Sequence, residues 1–349
     1  LDVCKGLGIL LVVLGHACGG YDGGGGFFRK LIYGFHMPMF FIISGYLYKP
    51  KEHAIKHYSQ KYLLPYIILC CINLVLELPQ DVILGDSLSK LKTYLIGIAF
   101  VKPSVQWMPN CTPLWFLACL AFSLMLYNFV FRITDSRNLT DDNTQHIQNL
   151  QLVRFAVELA LMIAGYILYI VDVPKQPWTL DTVLMVPFFL EIGHQIRRMQ
   201  DELDKILKPG MMVLMVVVGI ICIIANPIEI DSAARTYGNL ALMIPGSVLT
   251  SISVMWICRM YCKASGSGCC TRSKNVVISA LTWFGKHTVF FMGFDYFSGH
   301  IVKFVFLLIG MNHWLTLFIG KVIVLTIGCI IWNKLIMLLP HRIRNQLSY

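Results

Sequence analysis

The chain has 349 residues, of which 56% are apolar and 14% charged, with a formal net charge of +10. Soluble domains carry roughly 25% charged residues, and a globule of this size could not hide the apolar surface implied by a mean hydropathy of +0.66. The same balance excludes a disordered, collagen-like or nucleic-acid-binding chain. The 12 cysteines are scattered, several of them inside apolar runs, and form no disulfide framework. What remains is an all-α polytopic membrane protein with one membrane-embedded domain over residues 1–349.

A spanning helix needs about 20 mostly apolar residues. Ten stretches qualify: 3–20, 31–48, 62–79, 113–131, 152–171, 179–196, 211–226, 238–258, 276–297 and 314–337. No basic stretch precedes the first and no small-residue cleavage site follows it, so it reads as a span and not as a cleavable signal. It opens at the first residue given, which leaves room for natural residues upstream. The Gly23–Gly26 run reads as a flexible outer turn. Residues 88–102 are amphipathic and are expected along the outer interface. Residues 301–311 are apolar but short, and either extend the ninth span or form a re-entrant piece.

The loops after the even-numbered spans, with the C-terminal tail, hold twice the Lys and Arg of the other loops. Lys49, Lys51, Lys56 and Lys61 follow the second span; Arg197, Arg198, Lys205 and Lys208 follow the sixth. Positive charge gathers on the cytoplasmic side, so both termini are expected there. The net charge then reads as anchoring beside anionic lipid, with no call for a nucleic-acid partner.

Ionisable groups at membrane depth are costly, and each is a functional candidate. Asp2, Lys5 and His16 lie on the first span; His36 and Ser44 lie on the second. Lys5 and His16 are eleven residues apart, about 16 Å along a helix and nearly on one face. His16 falls about 4–5 Å and His36 about 9–10 Å below the outer ends of their spans, so the two rings suit one outer-half cavity. Gly34 and Pro38 flank His36, and a proline within a span frees a carbonyl that protein or a wet cavity must satisfy. Taken singly, each histidine also reads as a packing residue, and Lys5 as a lysine reaching for the interface.

The stretch from Asp2 to His16, with Lys5, Gly6, Gly8 and Gly15, resembles the opening of the acyltransferase-3 family of integral membrane acyltransferases. So does Phe35 to Tyr46, with His36, Met37, Pro38, Ser44 and Gly45. Lys5 and His16 meet the family's motif of a basic residue and a histidine with ten residues between them. Weaker matches follow at Pro113, Trp115, Phe116 and Leu117, over Asp181 to Gly193, at Tyr237 and Asn239, and at Gly285, Lys286, His287 and Thr288. The order is most similar to the branch of fucose 4-O-acetylase-like proteins.

The resemblance implies about ten spans and a cytoplasmic N-terminus. It implies an acyl donor, normally acetyl-CoA, and an acceptor hydroxyl on a sugar, glycan or lipid-linked glycan near the outer face. It makes His16 the essential histidine and Lys5 its basic partner, and gives His36, Ser44 and Trp115 supporting places. Relatives commonly carry a histidine where this chain has Phe294, Asp295 and Tyr296.

Moving an acetyl group to a hydroxyl needs a base, an oxyanion stabiliser and an aligned thioester. An imidazole suits the first, so His16 is expected as general base, with His36 as orienting partner or second proton carrier. Asp295 is one candidate for the carboxylate that fixes the tautomer. The phosphates of CoA call for cations, with Lys5, Lys286, Arg197 and Arg198 as candidates. Asp2 and Asn239 complete the expected polar set, and no metal is implied.

Cys258, Cys262, Cys269 and Cys270 lack metal-site spacing and read as reduced juxtamembrane thiols. The sequons at Asn110 and Asn138 read as chance matches, and Asp135, Asp141 and Asp142 as a solvated connection. The expected setting is a multi-pass protein of the plasma membrane. The rival readings are a proton-coupled secondary transporter and a catalytically silent relative that binds glycans.

Overall fold

The computed structural model describes residues 1–19, 25–83, 87–134, 144–265, 275–311 and 313–338. Cys269, Cys270, Asn138, Asp135, Asp141, Asp142, Gly23, Gly24 and the C-terminal tail lie outside them. The chain runs through α1 (Asp2–Cys18), α2 (Gly25–Tyr33), α3 (His36–Tyr46), α4 (Ala54–Tyr58), α5 (Leu64–Ile83), α6 (Ser87–Phe100), α7 (Trp115–Ile133) and α8 (Thr144–Ile170). It continues through α9 (Leu180–Arg198), α10 (Gln200–Ile206), α11 (Pro209–Ala225), α12 (Leu240–Ala264), α13 (Val276–Lys286), α14 (Thr288–Ile309) and α15 (Trp314–Met337). Among the described residues, β-structure is limited to one antiparallel bridge between Asp231 and Thr236.

Helix forms over all ten expected stretches, but two are interrupted. The second breaks at Gly34–Phe35 between α2 and α3, and the ninth breaks at His287 between α13 and α14. Residues 301–309 extend α14 and are not a re-entrant piece. By length and apolar content alone, six helical segments qualify as membrane spans: 54–77, 112–133, 149–170, 240–264, 288–309 and 314–337. The pair α10 and α11, bent by 94°, makes a seventh if counted as one. The chain is thus an all-α, multi-pass integral membrane protein. The remaining expected spans are shorter, as α1 and α3 are, or carry charge, as α9 does with Asp181 and Glu191.

The break before α3 follows from Pro38. A proline lacks the N–H that would bond the carbonyl four residues back, here Gly34. Ser247 on α12 donates its hydroxyl to that carbonyl at 2.6 Å. The neighbouring Phe35 carbonyl takes Ser251 at 3.3 Å. In α9, Pro187 frees the carbonyl of Val183, which Ser123 of α7 meets more weakly at 3.5 Å. Buried serines on α12 and α7 thus serve neighbouring helices whose own ladders are cut.

α1 packs along α13 and also meets α2, α14 and α15, while α3 lies along α9. Both close pairs depend on missing side chains. A Cβ at Gly6 would lie 1.9 Å from the Leu281 carbonyl oxygen, and one at Gly285 would lie 1.8 Å from that of Asp2. A Cβ at Gly45 or Gly193 would lie 1.9 Å from the carbonyl of Leu190 or Ile42. In lipid there is no hydrophobic drive between helices, and backbone approach of this kind supplies the packing energy. The core between these pairs holds Ile9, Val13, Met39, Ile42, Leu114, Leu190 and Phe291.

Arg154, inside the fifth expected stretch, is a basic residue that does not serve as a loop anchor. It sits on α8, buried, and donates to both carboxylate oxygens of Glu191 at 3.1 and 3.0 Å. Tyr127 adds a hydrogen bond to Glu191 at 2.6 Å. Arg235 is likewise turned inward, bonding Asp181 at 3.1 Å. Asn110 of the first sequon is buried and donates to Glu77, so its amide is engaged inside the fold.

Candidate active site

α1 carries the central group. His16 stands near its C-terminal end, with a side chain 15% exposed. Its Nδ1 lies 2.6 Å from Oδ2 of Asp295 on α14. An ionised carboxylate only accepts, so Nδ1 carries the hydrogen, and in the neutral imidazole Nε2 then keeps its lone pair. Asp295 is fully buried. Its other oxygen lies 2.8 Å from Nζ of Lys321 on α15, which is itself buried. That second contact is an ion pair rather than an aligned hydrogen bond. Three helices therefore converge in a line of Lys321, Asp295 and His16, with the imidazole facing open space. Tyr33 and Tyr296 set ring edges against His16 at 6.2 and 5.3 Å.

Three cavities meet this region. The largest, about 630 Å³, opens among basic residues: Lys5, Lys49, Lys51, Lys61, Lys286 and His57 line it, with Ser44 and Phe116. A second, about 180 Å³, is lined by His16, His36, Trp115 and Phe116. A third, about 250 Å³, touches His16 from the side of α2, α14 and α15. Phe116 and Met292 belong to the walls of both the basic cavity and the one beside His36, so those two are one side chain apart. Lys5 faces the basic cavity while His16 faces the others, which matches their separation of about three turns on one helix.

The structure thus brings His16, His36, Trp115 and Asp295 to one region. His36 does not touch His16; its Nδ1 donates to the Ile32 carbonyl at 2.8 Å, which leaves its Nε2 as the free atom. Lys5 and Lys286 line the basic cavity with Ser44, whose hydroxyl donates to the Phe40 carbonyl at 2.8 Å. Asp2 pairs with Lys5 at 2.7 Å.

Two expectations come apart. Arg197 and Arg198 are exposed and do not line the basic cavity. Arg197 instead points at the carbonyls of Tyr46 and Tyr48 at 3.5 and 3.4 Å, where a cation suits the end of a helix. Asn239 is the N-cap of α12, accepting from the Ala241 N–H at 2.9 Å, and its place is structural.

The acyltransferase domain family's sequence profile matches residues 1–333. The chain belongs to that acyltransferase family. Nodulation protein NolL of Mesorhizobium japonicum is similar to it, 30% identical over 159 residues. The match covers 38% of this chain and 42% of NolL, so less than half of that relative is represented. No solved structure matches the chain.

Sequence reasoning missed Lys321 as a partner of Asp295, and missed Arg29, Tyr33 and Tyr296 around His16. Lys321 did leave a signal. A lysine in the middle of an apolar run must find a counter-charge inside the protein, and Asp295 is the buried carboxylate that answers it. Lys49, Lys51 and Lys61 were read as topological anchors and also line the basic cavity.

Proposed function

We propose that this chain is a membrane O-acyltransferase that moves an acetyl group from cytoplasmic acetyl-CoA to a hydroxyl of a sugar or cell-surface glycan. The plasma membrane is its proposed location. The observation that carries the reading is His16, held by Asp295, on the wall of a small cavity that Phe116 and Met292 separate from a lysine-rich one.

The donor's phosphates suit the lysine-rich cavity. Several cations can pair with them there, where hydrocarbon would leave them unpaired. Lys5 and Lys286 are the proposed donor-binding residues, joined by Lys49, Lys51 and Lys61. The pantetheine arm then runs toward Phe116 and Met292. The acceptor enters the cavity beside His16 and His36. Nε2 of His16 takes the proton of the acceptor hydroxyl as its oxygen attacks the thioester carbonyl. The tetrahedral intermediate collapses with loss of the CoA thiolate. The thiolate recovers the proton from the imidazolium, giving CoA thiol, an O-acetyl sugar and the starting His16. Asp295 holds the tautomer and offsets the imidazolium charge, and Lys321 fixes Asp295. These last two are positioning residues.

The test uses the purified protein in lipid nanodiscs with labelled acetyl-CoA and a panel of sugar acceptors. Label in an O-acetyl sugar, lost in His16→Ala at unchanged protein level, supports the proposal. Full activity in that variant, or solute flux in vesicles without acetyl transfer, overturns it.

A further inference from the structure

The 250 Å³ cavity at His16 has a lining that the transfer chemistry alone does not require. Besides His16 it presents Arg29, Lys303 and Lys321, with His300 and two tyrosines, Tyr33 and Tyr296, and no carboxylate among the described residues. None of the nearby carboxylates lines it. Asp295 is wholly buried behind His16 and Lys321. Glu229, which pairs with Arg29 at 2.8 Å, does not line it. Asp231, 3.8 Å from Arg29, faces the neighbouring cavity.

Two of the cations have capacity to spare. Arg29 has a buried Nε with no partner. Lys303 has no ion pair among the described residues. It lies eight residues beyond Asp295, about two turns further along α14. A neutral hydroxylated sugar would be served by hydroxyl and amide groups. Concentrated Lys and Arg donors on a partly enclosed wall are the recognition chemistry of phosphate and carboxylate.

We infer that the acceptor carries an anionic group close to the hydroxyl that is acetylated, held by Arg29 and Lys303 while the hydroxyl meets Nε2 of His16. The shared chemistry is an oxyanion on a sugar, supplied by a phosphate ester of the sugar or by a uronic acid carboxylate. This rests on the acyltransferase reading and adds the charge class of its acceptor. The position of these cations puts the anion on the α2 and α14 side of the imidazole, away from the lysine-rich cavity.

The experiment has a binding arm and a turnover arm, both on the full chain in nanodiscs of neutral lipid. In the binding arm, glucose 1-phosphate, methyl glucuronide and methyl glucoside are titrated without donor and followed by ligand-observed NMR. At least one anionic sugar is expected to bind roughly tenfold or more tightly than the neutral glucoside. Which of the two anions wins identifies the source. Lys303→Glu is expected to remove that preference and Lys303→Arg to keep it. Lys303 is exposed, so both variants should fold. In the turnover arm, the same contrast should appear in KM for the acceptor with kcat little changed.

Equal binding of neutral and anionic sugars by the parent protein overturns the inference. So does an anion preference that Lys303→Glu leaves untouched. Transfer to neutral sugars as efficient as to anionic ones also overturns it, yet leaves the acyltransferase reading standing. Anion-selective binding without any acetyl transfer strikes the acyltransferase reading instead, and the inference about an acetylated acceptor falls with it.

Discussion

Replacing Asp295 by Asn, alone and together with Lys321→Met, separates catalysis from stability in one site. Asp295 makes a hydrogen bond to His16 at 2.6 Å and an ion pair with Lys321 at 2.8 Å, and is fully buried. The amide can turn its NH2 toward Nδ1, which moves the ring hydrogen to Nε2 and removes the base. In a comparable His–Asp pair the same change costs about 10⁴ in kcat, or about 5 kcal/mol of barrier. The change also strands Lys321 in the interior, and breaking a buried pair from one side costs about 3–5 kcal/mol. Asp295→Asn should therefore be slow and unstable together. Adding Lys321→Met removes the stranded charge, so the double variant should regain most of the thermal stability and none of the activity. Labelled acetyl transfer and thermal melting in detergent, measured on parent, single and double variants, decide the matter. A folded Asp295→Asn enzyme within threefold of the parent would refute the assigned role. A double variant as unstable as the single would refute the account of Lys321.

Other consequences are accessible to the same assays. Lys286→Ala should raise KM for the donor by roughly tenfold, the loss of one charged contact, with a smaller effect on acceptor KM; an unchanged donor KM would remove Lys286 from that cavity's function. Phe116→Ala should open the partition between the basic and outer cavities, and acetyl-CoA hydrolysis without acceptor should rise several-fold; no rise would mean that Phe116 does not keep water from the thioester. Gly45→Ala puts a Cβ 1.9 Å from the Leu190 carbonyl, so α3 and α9 must separate at a cost of about 1–3 kcal/mol. A lower melting temperature is expected for it. Unaltered melting would show that the two helices do not depend on that approach.

Apolar runs of helical length were legible because a single continuous segment can satisfy its own backbone in lipid only as helix. The ten stretches accordingly all carry helix. Their interruptions were half legible: Gly34 and Pro38 marked the break before α3, but the serines of α12 that make it tolerable stand over 200 residues away in sequence. The His16 end of the site was legible from local spacing on α1. Of its partners, Asp295 was only one candidate for the carboxylate, and Lys321 was missed. Asp295 and Lys321 lie on two later helices, and no local pattern says which intramembrane lysine meets which carboxylate. Arg154 shows a related limit. Counting a basic residue at a span boundary as an anchor assumes that it faces water, and Glu191 supplies the interior alternative. Arg197 and Arg198 looked suited to phosphate by charge and by side of the membrane, but α9 turns them away from the cavity. Charge counts carry no information on rotation about a helix axis.

The central claim is that donor and acceptor reach one imidazole from opposite faces of the bilayer. Proteoliposomes of known orientation, with labelled acetyl-CoA on one side and the acceptor sugar on the other, test it directly. The account predicts acetylated sugar when the donor is on the side of Lys49, Lys51 and Lys61 and the acceptor is opposite, and almost none with the two exchanged. Efficient transfer only when both are confined to the same compartment would contradict it.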